Sequence, residues 1–121
     1  MGKKKEKEIV VIGAGPAGYA AAFKASDLGF QVALIGKEAE PGGTCLHEGC
    51  IPVKTLVEVL KIKEEAEKAK EWGMEFTAPK IDVEAIVKWK DEVVKKLTEG
   101  VGLLSKNREI EYIRGTASFL S

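Results

Sequence analysis

Four β-branched residues, Ile9, Val10, Val11 and Ile12, run straight into Gly13-Ala14-Gly15-Pro16-Ala17-Gly18, and no other stretch restricts the fold as much. A short continuous apolar run predicts a strand buried on both faces, as in a parallel sheet. Residues 19–28 are rich in alanine and stop at Gly29, which predicts a helix closed by a C′ glycine. Residues 31–35 predict a second strand. Strand, glycine turn, helix and strand within about thirty residues make a βαβ unit, the context that gives such a turn weight. There Gly13 makes the tight bend, Gly15 admits a dinucleotide pyrophosphate, and Gly18 lets helix and strand pack closely. The anion would rest on free N–H groups at the helix N-terminus. An ordinary strand–helix turn is the competing reading.

Cys45 and Cys50, the two cysteines of the chain, stand five positions apart just downstream. On an ideal helix that spacing turns through about 140° and rises about 7.5 Å, whereas a disulfide asks for Cα atoms within about 7 Å. The two can bridge only where the backbone between them leaves regular helix. Gly49 permits that departure, and Pro52 suits the first turn of a helix starting nearby. A pair held in this way has the character of a labile or catalytic disulfide and can store two electrons. The alternatives are a structural disulfide, inert thiols, or a metal bound by Cys45, His47 and Cys50. Structural zinc prefers shorter cysteine spacing and a fourth ligand, so no metal site is expected.

A chain of 121 residues is one domain or part of one. Its 19 basic and 19 acidic side chains give no net charge and are interleaved, so no nucleic-acid partner is expected. Two closely spaced cysteines suit redox use and not a secreted disulfide scaffold. Lys3-Lys4-Lys5 before the apolar run imitates a signal peptide, but glycine and proline interrupt it too early, and a cytoplasmic location is expected. No stretch reaches the roughly 20 apolar residues of a membrane span, so no membrane partner is expected.

Residues 55–72 predict a long helix, with Leu56, Leu60, Ala66 and Ala69 against a Lys/Glu face, ending at Gly73. Asp82 is the expected N-cap of a second, with a stripe of Ile86, Val93, Leu97, Val101 and Leu104. The two should form an antiparallel pair, with Trp72 and Trp89 in packing. Residues 110–114 predict a third strand, and residues 115–119 a turn into another. That last strand would have no partner, so the domain reads as incomplete.

Three segments, Gly13 through Tyr19, Gly42-Gly43-Thr44-Cys45, and Gly49-Cys50-Ile51-Pro52 with Lys54, resemble the pyridine nucleotide-disulfide oxidoreductases. The likeness is strongest to members that oxidise dihydrolipoamide, and it continues through Leu97-Thr98-Glu99-Gly100 and residues 115–119. It implies an α/β, Rossmann-like FAD-binding βαβ unit over residues 8–36, with parallel strands. A redox segment at 42–54, a long antiparallel helix pair at 55–106 and strands at 110–121 would follow, all within the N-terminal part of the FAD-binding domain.

By the same resemblance Cys45 is the interchange thiol, Cys50 the thiol facing the flavin, and Lys54 the flavin-tuning cation. A helix N-terminus near Cys45 would act with Lys54 to lower a thiol pKa. The implied FAD contacts are Gly13, Gly15, Pro16, Ala17, Gly18, Gly36, Lys37, Gly42, Gly43, Thr44, Cys45, Lys54 and Ala117.

The intact enzyme would oxidise dihydrolipoamide with NAD, meet a lipoyl-bearing protein or a small disulfide, work in cell redox homeostasis, and form a homodimer. The NAD site and the acid–base histidine are expected elsewhere, and His47 is not that histidine. The chain alone is therefore expected to be inactive. The alternatives are a mercuric or glutathione type reductase, or a stand-alone nucleotide-binding or thiol-redox module. Gly36 stands where the family has an acidic residue for the adenosine ribose, with Glu38 two residues on, and weaker FAD affinity is expected. Val53 replaces a small hydroxyl residue, and His47 and Glu48 replace Asn and Val.

Overall fold

The computed structural model describes residues 6–120. Along the chain run β1 (Ile9–Ile12), α1 (Pro16–Asp27), β2 (Val32–Gly36), α2 (Gly43–His47), α3 (Cys50–Lys68), a 3-10 turn (Ala69–Trp72), α4 (Val83–Asn107) and β3 (Glu111–Arg114). The three strands form one sheet in the order β1-β2-β3, and both pairings are parallel. Ile9 stands opposite Val32, Ile12 opposite Ile35, and Gly36 opposite Arg114.

The central strand is the apolar one. Val32, Ala33 and Leu34 are each at most 2% exposed, so side chains on both faces of β2 are covered, as its sequence implies. Ala22 of α1, Ala14 and Ile110 complete the core, with Val11, Tyr19, Phe23 and Tyr112 packed around it. On β1 the expectation of burial on both faces holds for one face only. Val10 and Ile12 are 52% and 56% exposed, because α1 covers one side and nothing among the described residues covers the other.

Helix α1 starts at Pro16, three residues before the alanine-rich run. Proline at the first helical position has its φ already set and needs no amide hydrogen there. The helix closes as expected at Gly29, whose φ of +93° suits glycine. Its end is tied to the approach of β3. Ser26 Oγ donates to the Arg108 carbonyl (2.7 Å), Arg108 Nε donates to Asp27 Oδ1 (2.9 Å), and the guanidinium lies over the Phe23 ring.

Helix α3 begins at Cys50, five residues before its apolar periodicity, because Gly49 and Pro52 already form its first turn. Val53 N donates to the Gly49 carbonyl there. After the 3-10 turn, Gly73 takes a left-handed φ of +84° and ends the helix. Asp82 caps α4 as its sequence predicts, with Oδ1 accepting from Ala85 N at 3.0 Å. Residues 73–82 carry the chain from the end of α3 to the start of α4. The far end of α4 returns to the loop before α2, where Gly102 and Ser105 face Ala39, Glu40 and Pro41. The two long helices therefore run antiparallel.

What they bury is small: Thr55, Ala69, Thr98, Gly102 and Ser105. The hydroxyls of Thr55, Thr98 and Ser105 are satisfied by carbonyls one turn back. Of the expected stripe, Ile86, Val93 and Val101 are half-buried while Leu97 and Leu104 stay exposed. Trp72 and Trp89 do not enter the described core; Trp72 is 71% exposed. Nor do residues 116–120 form the expected fourth strand. A strand needs a neighbour for its amides and carbonyls, and the described sheet offers none at that point.

Candidate functional site

The carboxyl ends of all three parallel strands open on one side of the sheet, where open α/β folds place their ligands. A cavity of about 350 Å³ lies there, at the small end of the roughly 300–1,000 Å³ of ligand sites. Its wall comes from four places in the chain. Ile12 ends β1 and Gly13, Ala14 and Gly15 follow it; Ile35 and Gly36 end β2 and Lys37 and Glu38 follow; Gly43 and Thr44 open α2; Gly115, Thr116 and Ala117 follow β3. A concavity of about 510 Å³ runs along one side of α4 from Val83 to Lys95, but a single helix lines it and no groups converge there.

Backbone hydrogen bonds join these segments. Gly13 N donates to the Ile35 carbonyl (2.9 Å), Gly42 N to the Ala14 carbonyl (2.8 Å), and Gly115 N to the Gly36 carbonyl (2.7 Å). Close approach explains two of the glycines. A Cβ on Gly18 would overlap the Gly13 carbonyl oxygen, and one on Gly43 would lie 2.5 Å from Gly15 Cα. Gly15, by contrast, faces open space, since a Cβ there meets nothing within 4 Å. Gly15 is also the N-cap of α1 and caps it with no side chain. The first-turn amides, Ala17 and Gly18 among them, thus point toward an open, side-chain-free corner suited to a phosphate. These features fit the pyrophosphate of a dinucleotide.

Cys45 and Cys50 form a disulfide with their Cα atoms 4.7 Å apart. Regular helix is interrupted between them, as the spacing requires, since α2 ends at His47 and α3 starts at Cys50. Gly49 sits closely packed: a Cβ there would stand 3.2 Å from the Thr44 carbonyl oxygen and 3.5 Å from Cys45 Cα. Cys45 is half-buried and Cys50 exposed. Thr44, which lines the cavity, directly precedes Cys45. Lys54 is exposed one turn along α3 from Cys50, on the same side of the helix.

His47 does not join the cysteines in a cation site. In the tautomer protonated at Nε2 it donates to the Glu40 carbonyl (3.1 Å), pinning the loop after β2 to α2. No group of three His, Cys, Asp or Glu side chains converges on a cation site among the described residues.

Of the thirteen residues marked as cofactor contacts, Gly13, Gly15, Gly36, Lys37, Gly43, Thr44 and Ala117 line the cavity. Pro16, Ala17 and Gly18 form the first turn of α1, and Gly42 anchors the cysteine loop. Cys45 and Lys54 stand outside the cavity wall. Ile12, Ala14, Ile35, Gly115 and Thr116 also line the cavity and were not among the marked contacts, although they sit at strand carboxyl ends; Glu38, considered beside Gly36 for the adenosine ribose, lines it too.

Fold and site together define an α/β protein that carries a disulfide next to a cavity at the carboxyl ends of its parallel strands. Residues 7–121 match the family described as pyridine nucleotide-disulphide oxidoreductase, and the chain belongs to that family. It is 44% identical over 119 residues to the dihydrolipoyl dehydrogenase of Buchnera aphidicola from Acyrthosiphon pisum, covering 98% of this chain and 25% of the relative. The Vibrio cholerae enzyme of that name is 41% identical with the same coverage. The Bacillus subtilis enzyme is 44% identical over 115 residues, 93% of this chain and 25% of the relative. The chain spans about a quarter of the length of these curated relatives. No helix among the described residues is long and apolar enough to cross a membrane.

Proposed function

We propose that this chain is the N-terminal FAD-binding portion of a dihydrolipoyl dehydrogenase. One observation carries the proposal: the loop bearing the Cys45–Cys50 disulfide is the same loop that Gly42 ties to the glycine turn and that lines the cavity through Gly43 and Thr44. Gly13, Gly15 and the first turn of α1, with Pro16, Ala17 and Gly18, would hold the pyrophosphate. Gly36, Lys37 and Ala117 would meet the adenosine end, and Gly42, Gly43, Thr44, Cys45 and Lys54 would meet the flavin end. FAD, once bound, supplies a two-electron acceptor that relays to NAD.

The chain's own part is thiol–disulfide exchange. A thiolate of dihydrolipoamide attacks Cys45 Sγ, a mixed disulfide forms, and the Cys45–Cys50 bond breaks to leave Cys50 as thiolate. The second substrate thiolate then attacks its own sulfur in the mixed disulfide. The lipoyl disulfide closes and Cys45 leaves as thiolate. Two electrons have passed from substrate to the cysteine pair, and the two thiol protons have gone to solvent or a base. Cys50 is the first residue of the nineteen-residue α3, so the helix dipole and Lys54 favour its thiolate. The lipoyl substrate, the homodimer and the cytoplasmic setting belong to the same proposal.

Titration with FAD, followed by flavin fluorescence, tests it. Saturable binding is expected, and the bound flavin spectrum should change when the disulfide is reduced and stay unchanged in Cys50→Ala. A disulfide that forms and reduces freely in a chain that binds no flavin would favour a thiol-redox module instead.

A further inference from the structure

We infer that Glu38, and not residue 36, supplies the carboxylate that holds the adenosine ribose, because Tyr112 fills the space a side chain at position 36 would need. This deepens the FAD proposal and rests on it.

In dinucleotide-binding α/β folds an acidic side chain beyond the second strand accepts hydrogen bonds from the ribose hydroxyls. Here β2 ends in Gly36, and the volume of its missing side chain is occupied. A Cβ there would lie 2.5 Å from Tyr112 Oη, 3.2 Å from the Tyr112 ring and 2.7 Å from Ala14 Cβ. Ala14 belongs to the glycine turn and Tyr112 to β3, in register with Leu34. Neither can withdraw without opening the core they help to form. A carboxylate at position 36 is thus excluded by packing.

The same contacts present Glu38 instead. Three consecutive carbonyls, from the last residue of β2 onward, are held by β3 and the residue after it. Gly115 N donates to Gly36 O (2.7 Å), Arg114 Nε to Lys37 O (3.1 Å), and Tyr112 Oη to Glu38 O (2.9 Å). The backbone that carries Glu38 is therefore fixed on the cavity rim. Glu38 lines the cavity with Gly13, Gly15 and Gly36 and keeps partial exposure. No cation pairs with its carboxylate among the described residues. An unpaired carboxylate at the rim, on a braced loop, beside a blocked strand end, is placed to accept from vicinal hydroxyls.

The test compares FAD with FAD whose adenosine ribose lacks the 2′-hydroxyl, both titrated into the chain by flavin fluorescence. Glu38→Gln should weaken FAD about tenfold, as expected for one hydrogen bond to a charged acceptor. It should weaken the deoxy ligand less than about twofold, since the bonded group is already gone. Far-UV circular dichroism checks the fold of the variant. Equal weakening of both ligands, or undiminished FAD affinity in Glu38→Gln, overturns the inference and leaves the FAD site standing. An unaltered chain that binds neither ligand overturns both.

Discussion

Between residues 9 and 54 the backbone comes close to itself, whereas between residues 55 and 107 only residues with small side chains are fully buried. In the first region Gly18 lies against the Gly13 carbonyl, Gly43 against Gly15, and Val32 and Leu34 are 2% exposed or less. In the second, Leu56, Leu60, Leu97 and Leu104 are all more than a third exposed. The contrast teaches where the chain is intolerant. Interpenetrating segments leave no room to relax, so the shape of the cavity at the strand ends depends on atoms that are absent. The helix pair has room on its outer faces and should accept substitution there.

The largest expected effect is at Gly18. Gly18→Val drives a branched side chain into the Gly13 carbonyl and should remove about 3 kcal/mol or more, a large fraction of the stability of a chain of this size. Urea denaturation followed by circular dichroism measures it, and a variant with the wild-type midpoint would break the comparison at its strongest point. Next comes a matched pair. Leu34→Ala, at a fully buried site, should lose about 3 kcal/mol, while Leu60→Ala, 57% exposed, should stay within about 0.5 kcal/mol. Equal losses would show that the hairpin is as tightly packed as the sheet.

Asp82→Ala should remove about 1 kcal/mol by deleting the cap of α4. Faster hydrogen exchange at Ala85 and its neighbours, with FAD affinity unchanged, is the pattern that separates hairpin from cavity. The smallest effect is alkaline. Burial, reinforced by Glu38 and Glu40 and partly opposed by Arg114, raises the Tyr112 phenol above its ordinary value of about 10. The folded state thus holds the proton more tightly than the unfolded state. The resulting stability is fully present below about pH 10 and declines as pH rises through the folded value. Stability measured from pH 9 to 11 should fall more steeply in the parent chain than in Tyr112→Phe, and parallel curves would place the phenol in an unperturbed setting.

Much of the site was legible because its signals are local. The β-branched run, the glycine turn and the alanine-rich helix lie within thirty-odd residues, and each constrains its neighbours through φ, ψ and hydrogen bonds alone. The cysteine spacing allowed a bridge only across a break in the helix, and the break is there at residues 48 and 49. Helix starts were read late at Pro16 and Cys50, since capping and proline chemistry precede the apolar period that signals a helix. The strand expected after Gly115 is absent because pairing depends on a neighbour, and no propensity within those residues records whether one exists.

By itself, then, the sequence determined the βαβ cradle, the condition that Cys45 and Cys50 could pair only through a broken helix, and the cap at Asp82, all of them set by residues within a few turns of one another. Only the tertiary structure decided that β3 lies beside β2, that Gly115 and Thr116 join the cavity wall, and that Tyr112 occupies the space beside Gly36. Those contacts join residues more than seventy positions apart, and van der Waals exclusion acts between atoms in space without regard to their distance along the chain.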